Sequence, residues 1–156
     1  MTLNDAQRNR PTTQSGSNAP GAAAMDSQPS TKALWAGRIL SGIAVLFLLW
    51  DAAMKVVQHP MAVQGTKQVG YPESVVLPLG IIQLACIGLY LVPRTSVLGA
   101  ILWTGYLGGA VATHVRIGDP LFSHALFPVY VGALLWLGLW LRDQQLRAIL
   151  PLRAPK

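Results

Sequence analysis

Residues 74–92 read SVVLPLGIIQLACIGLYLV, a run without a single charge. About 19 such residues, wound as a helix rising 1.5 Å per residue, cross the roughly 30 Å of a bilayer's hydrocarbon. Three further runs have the same character. One extends from Ala33 to Val57, with Arg38 near its start and Asp51 and Lys55 near its end; the others are Thr95 to Val115 and Pro120 to Leu141, uncharged apart from His114 and His124. Lipid offers backbone groups no hydrogen-bond partners, so a spanning segment must be a helix or part of a closed barrel. A barrel strand alternates apolar and polar residues with a period of two, and these runs do not. The fold class expected is therefore all-α, a bundle of four transmembrane helices.

Composition supports this reading. The chain is 52% hydrophobic and only 12% charged, with mean hydropathy +0.42, whereas soluble domains carry about a quarter charged residues. Its 156 residues set the expectation of a single domain. The net charge of +6 does not indicate nucleic acid, because the Lys and Arg residues flank the apolar runs and form no basic stripe on a soluble face. They suit contact with anionic lipid headgroups and the positive-inside bias instead. One cysteine, Cys86, excludes an internal disulfide or a CxxC pair.

Residues 1–32 are rich in Ser, Thr, Pro, Gln, Asn, Gly and Ala and are expected to form a disordered tail, since they have too little apolar surface to offset the entropy of ordering. Met25 offers an alternative start that leaves the membrane part unchanged. Residues 33–145 form the membrane domain, and residues 146–156 a basic carboxyl tail. Four spans place both ends on one side. Lys32, Arg38, Arg94, Arg142, Arg147, Arg153 and Lys156 lie on that side, against Lys55, Lys67 and Arg116 on the other, so both termini are expected in the cytoplasm. Several of Trp35, Trp50, Tyr71, Tyr90, Trp103 and Trp140 fall near span ends, where interfacial aromatics collect. Gly105 and Gly109 share one face of the third span, which permits close approach of another helix; packing within the bundle is preferred here to a dimer interface.

This topology brings Asp51, Lys55, His114, Arg116, Asp119 and His124 to one membrane face. Ionisable side chains inside spans cost a few kcal/mol and normally turn inward to partners. Asp51 and Lys55 are spaced for an intrahelical ion pair, read either as an interfacial pair with Lys55 snorkelling to the headgroups or as a proton relay or ligand anchor. His114 and His124 flank a turn and are placed to face each other, for proton handling, ligand handling or hydrogen-bonded packing. With Asp51 they would make a three-ligand set, but the spacing matches no tight metal motif, and no metal is assigned. Arg116 and Asp119 suggest a local ion pair, with anion binding by Arg116 as the alternative. Gln83 lies in mid-span and needs a partner, either a ligand or another helix. Phosphate-cradling loops, HExxH and GxSxG motifs are missing from the sequence.

The string from Gly99 to Arg116, GAILWTGYLGGAVATHVR, continued by Gly118-Asp119-Pro120 and Phe127-Pro128-Val129-Tyr130, resembles the DoxX-like family of small four-span bacterial membrane proteins. Asp51 with Lys55, Gly70-Tyr71-Pro72 and Leu141-Arg142-Asp143 extend the resemblance over roughly residues 34–153. The wider DoxX group is named for a subunit of an archaeal quinol oxidase and thiosulfate to quinone reductase system. The resemblance implies a subunit or accessory factor of a quinone-linked oxidoreductase complex in the bacterial inner membrane. Quinone is the cofactor it suggests, and redox-complex subunits or a second copy of the chain are the partners. Asp51, His114 and His124 would carry the proton chemistry, with Lys55, Gln83, Arg116 and Asp119 contacting the ligand. With one cysteine, the chain has no thiol pair for sulfur chemistry of its own. Two other readings stay open: a non-enzymatic membrane helper, and a membrane isomerase or hydrolase of an apolar substrate.

Overall fold

A computed structural model of the chain describes residues 30–150. Most of the expected amino-terminal tail, the alternative start at Met25, and Arg153 and Lys156 lie outside the described residues. Six α-helices follow in order: α1 Thr31–Val56, α2 Pro60–Gln68, α3 Val76–Leu91, α4 Ser96–Arg116, α5 Phe127–Arg142 and α6 Gln144–Ile149. A 3₁₀ turn, Glu73–Val75, leads into α3, and a π-type turn, Leu121–Ala125, precedes α5. No strand occurs among the described residues.

Four segments are long and apolar enough to span a membrane: Thr31–Val56, Glu73–Leu91, Ser96–Arg116 and Leu121–Arg142. Between 28% and 33% of each is buried against the rest of the protein, yet the outward surface is equally apolar. Leu46, Trp50, Ile81, Ile101, Val129 and Leu137 are all exposed. Helices apolar on every side belong in lipid. The protein is a multi-pass integral membrane protein whose outer surface contacts the bilayer.

The spans form a ring. Helix α1 packs on α5 and α3, α3 on α4, and α4 on α5, leaving α1 diagonal to α4 and α3 diagonal to α5. Ala44, Leu48, Tyr90, Trp103, Leu135 and Leu139 fill the interior; Tyr90 and Trp103 thus belong to the core and not to an interfacial belt. Lipid tails are as apolar as leucine, so association depends on close packing, which small residues permit. Here Gly37 meets Gly138, where a Cβ on Gly37 would stand 2.8 Å from the Gly138 carbonyl oxygen. Gly80 likewise admits Val56, and Gly99 admits the backbone of Tyr90. The expected role of Gly105 and Gly109 in this packing is overturned. Both are exposed, and a Cβ on either would meet nothing within 4 Å.

The fourth span is not the unbroken helix that its composition suggests. Pro128 has no N–H to give the carbonyl of His124, so regular helix cannot run through this point. The chain instead closes a wider turn, in which Leu126 N donates to Leu121 O at 2.8 Å, before α5 begins with Pro128 in its first turn. At the other end, Asp143 accepts from the backbone N–H of Gln145 and Leu146. That cap starts α6 at Gln144, just before the expected boundary of the carboxyl tail, and the helix runs on to Ile149 within it, with Leu146 buried.

The close contact of Gly37 with Gly138 puts the start of α1 beside the end of α5. This end is the tail face; the opposite end, with α2, the π-type turn and the end of α4, is the far face.

Candidate functional site

Asp51 lies on α1 a little over one turn before its far-face end, and Lys55 follows one turn later. The Lys55 ammonium pairs with Oδ2 of Asp51. The side chain of Lys55 is the more enclosed of the two, 14% exposed against 38% for Asp51, so the lysine folds back to the carboxylate and does not snorkel outward. Gly80 on α3 makes room for it: a Cβ there would lie 2.9 Å from Lys55 Cβ. From the same helix, Gln83 Nε2 donates to Asp51 Oδ2 at 2.6 Å. One oxygen thus takes both donors, and Oδ1 accepts no bond from a described residue. The carbonyl Oε1 of Gln83 is buried without a partner. The Gln83 bond directs the carboxylate toward α3.

A second group occupies the far face. His114 Nδ1 and Asp119 Oδ2 are 2.6 Å apart, so Asp119 is paired with His114 and not, as expected, with Arg116. The difference follows from direction: Asp119 N bonds back to His114 O at 3.0 Å, closing the turn with the two side chains together. Arg116 instead reaches the preceding loop, donating from Nη2 to Val69 O at 2.8 Å, with its guanidinium 5.9 Å from the Tyr71 ring centre. The rings of His114 and His124 approach to 6.2 Å at an interplanar angle of 57°, while His124 Nδ1 contacts Ser123 Oγ at 2.8 Å. The histidines are neighbours without sharing a hydrogen bond. Among the described residues no three His, Cys, Asp or Glu side chains converge as a metal site.

Sequence reasoning missed the role of Tyr71, whose hydroxyl lies 3.0 Å from Thr113 Oγ1. Thr113 gives its proton to Gly109 O at 2.8 Å, so Tyr71 is the donor. This bond and the Arg116 bond tie the loop before α3 to the end of α4. The loop geometry needs Gly70, whose φ is +88° and whose missing side chain leaves room for Arg116 Nη2, 3.0 Å from where a Cβ would stand. Tyr71→Phe is expected to cost about 1 kcal/mol, the net worth of one hydrogen bond, while Gly70→Ala should cost more through strain. Thermal unfolding in one detergent ranks the two, and a harmless Gly70→Ala would show that the loop is not held as described.

Nearer the tail face, Tyr90 is fully buried. Its hydroxyl donates to Leu135 O at 2.8 Å and accepts from Ser41 Oγ at 2.9 Å. Three spans meet on that one hydroxyl. The sequence shows a tyrosine near a span end, but the same placement also marks an interfacial aromatic.

Comparison with known proteins adds one positive finding. No curated protein and no solved structure matches the chain. The family model described as the DoxX-like family matches residues 39–138, a stretch running from the first turns of α1 to the last turns of α5 and holding both polar groups. With more than half of its length in that match, and with the four apolar helices now described, the chain belongs to the DoxX-like family.

Proposed function

We propose that this protein is a subunit or accessory factor of a quinone-linked oxidoreductase complex in the bacterial inner membrane, holding a quinone or similar apolar ligand between its spans. The observation that carries this reading is the state of Asp51. Its carboxylate sits within a span, held by Lys55 and Gln83 through one oxygen, with the other oxygen free and the side chain 38% exposed. Intramembrane carboxylates of this kind mark proton and ligand pathways. The polar groups present fit the carbonyl end of a quinone: Lys55 keeps N–H groups beyond the one given to Asp51, and Asp51 Oδ1 is an acceptor. A quinone, when bound, supplies the two-electron, two-proton chemistry. Asp51 exchanges the proton at Oδ1, Lys55 and Gln83 stabilise its charged form, and His114 and His124 pass protons at the far face. Arg116 and Asp119 position that end through Val69 and His114. Redox-complex subunits or a second copy of the chain are the proposed partners, with the open glycine face of α4 the surface available to them.

Binding of a short-chain ubiquinone to the purified chain in detergent tests this reading. A hydrogen bond to a charged group is worth at least about 1.5 kcal/mol, so Asp51→Asn should weaken binding about tenfold or more. Unchanged affinity in a well-folded Asp51→Asn variant would remove Asp51 from the site, and no binding by the native chain would remove the quinone.

The orientation with both termini cytoplasmic is part of the same proposal, and the single buried cysteine makes it simple to check. Ala148→Cys should resist a membrane-impermeant thiol reagent applied to intact cells, and Met61→Cys, on exposed α2, should react. The reverse pattern overturns the orientation. A helper role without catalysis has one observation in its favour, since the far-face carboxylates already have partners within the chain.

A further inference from the structure

The two membrane faces differ in how their charges are settled. On the far-face half, Lys55 pairs with Asp51, Lys67 with Glu73 at 3.5 Å, and Asp119 with His114, while Arg116 is bonded to Val69 O. Among the described residues that half holds three cations (Lys55, Lys67, Arg116) and three carboxylates (Asp51, Glu73, Asp119), a formal balance of zero. The tail-face half holds Lys32, Arg38, Arg94, Arg142 and Arg147 against Asp143 alone, a balance of +4. Asp143 is committed to capping α6. No ion pair forms there among the described residues.

Three of these arginines are held in place by aromatic faces. The Arg38 guanidinium lies 5.8 Å from the Trp35 ring centre, Arg142 5.0 Å from Tyr90, and Arg147 5.7 Å from Trp140. Backbone carbonyls hold two of them further, Leu141 O accepting from Arg147 Nη2 at 2.9 Å and Tyr90 O from Arg142 Nη2 at 3.4 Å. The three belong to one end of the bundle, because Gly37, next to Arg38, packs against Leu141 and the backbone nitrogen of Arg142. Nε of both Arg142 and Arg147 is buried, so the donors left to a ligand are those of the Nη groups, which lie in the guanidinium plane as a fork suited to two oxygens of one phosphate. Holding the forks in advance lowers the entropy cost of binding. Trp35, exposed beside them, is the kind of aromatic that settles at headgroup depth.

We propose that Arg142 and Arg147, flanked by Arg38, form a binding site for the phosphate of an anionic phospholipid headgroup. The lipid's acyl chains would lie along the exposed apolar flanks of α1 and α5, and its phosphate would supply the negative charge that this face lacks. The α6 fold-back is what builds the site, since it brings Arg147 back toward the end of α5. This assignment does not depend on the quinone reading.

Native mass spectrometry of the full chain, in neutral detergent with equal phosphatidylglycerol and phosphatidylcholine, tests it. The native chain is expected to retain phosphatidylglycerol at least about fivefold over phosphatidylcholine, as expected for one or two phosphate contacts of about 1 kcal/mol each. Arg147→Gln should abolish most of that preference and Arg147→Lys should keep part of it, with Lys67→Gln on the far face keeping it whole. Because Arg142 packs on the core residue Tyr90, its test is the milder Arg142→Lys, checked for an unchanged unfolding temperature. Equal retention of the two lipids, or a preference that survives both Arg147→Gln and Arg142→Lys, overturns the site. Inorganic phosphate binding alone at the same concentration, and displacing the lipid, would reassign the site to a soluble anion and overturn the lipid assignment.

Discussion

Gly99→Val is expected to prevent folding of the bundle, and Gly99→Ala to destabilise it by about 2–3 kcal/mol, at the upper end for overpacking a close contact. A Cβ on Gly99 would stand 2.6 Å from Tyr90 Cα and 2.9 Å from the carbonyl carbon of Leu89. These are backbone atoms, so no rotamer change relieves the clash and α3 must move away from α4. That movement carries Tyr90 with it, and the Tyr90 hydroxyl holds Ser41 of α1 and the Leu135 carbonyl of α5. One methyl group therefore disturbs contacts among all four spans. Gly109→Ala is the matched control on the same helix, because a Cβ there meets nothing within 4 Å; its effect should stay within about 0.5 kcal/mol, as for surface changes generally. Reversible unfolding in mixed micelles of increasing SDS fraction measures both. Similar losses for the two alanines would mean that the approach of α3 to α4 does not set the cost of Gly99→Ala, since helix propensity favours alanine over glycine at both positions.

The second large effect belongs to Asp51→Leu, which leaves the ammonium of Lys55 enclosed without its counter-charge. Removing one partner of a buried pair costs about 3–5 kcal/mol. Because the Asp51 side chain keeps 38% exposure, about 2–3 kcal/mol is expected here. Gln83 loses the acceptor for its amide in the same variant, adding a second unsatisfied group near Oε1, which already lacks a partner. The informative comparison is the double variant Asp51→Leu with Lys55→Met, which removes both charges and should recover most of the loss, since an apolar pair of similar volume is tolerated in such a place. A double variant as unstable as the single one would mean that Asp51 stabilises the bundle mainly through Gln83. Retained stability with lost quinone binding in the double variant would separate the functional role of the pair from its structural one.

Legibility differed between the parts of the site. The spacing of Asp51 and Lys55 already implies their pairing, because residues four apart on a helix share a face whatever else the chain does. Gln83 was recognisable as needing a partner, but choosing Asp51 depends on the height and rotation of α3 against α1, which Gly80 sets by admitting Lys55 and Val56. At the far face the sequence pointed to Arg116 as the partner of Asp119, because the two flank one short turn. Closure of the turn gave Asp119 to His114 and sent Arg116 to Val69 O. The sequence marks Tyr71 only as an aromatic near a span end, because nothing local reveals a partner 42 residues away in Thr113.

What the sequence alone determined is whatever depends on local interactions: four helical spans, their approximate ends, the shared face of their outer termini, and the gathering of Asp51, His114 and His124 toward the other. In hydrocarbon the backbone must bond to itself, so an uncharged run of sufficient length becomes a helix without reference to its neighbours. Tertiary structure alone decided which side of each helix faces the others. A soluble helix announces that side by burying its apolar stripe, but these helices are apolar all round, and the bilayer rewards Leu46 or Ile101 outside as readily as Leu48 or Leu135 inside. Steric fit settles the rotation, which is why Gly99 and Gly138 lie in the contacts while Gly105 and Gly109, identical in chemistry, are left facing outward.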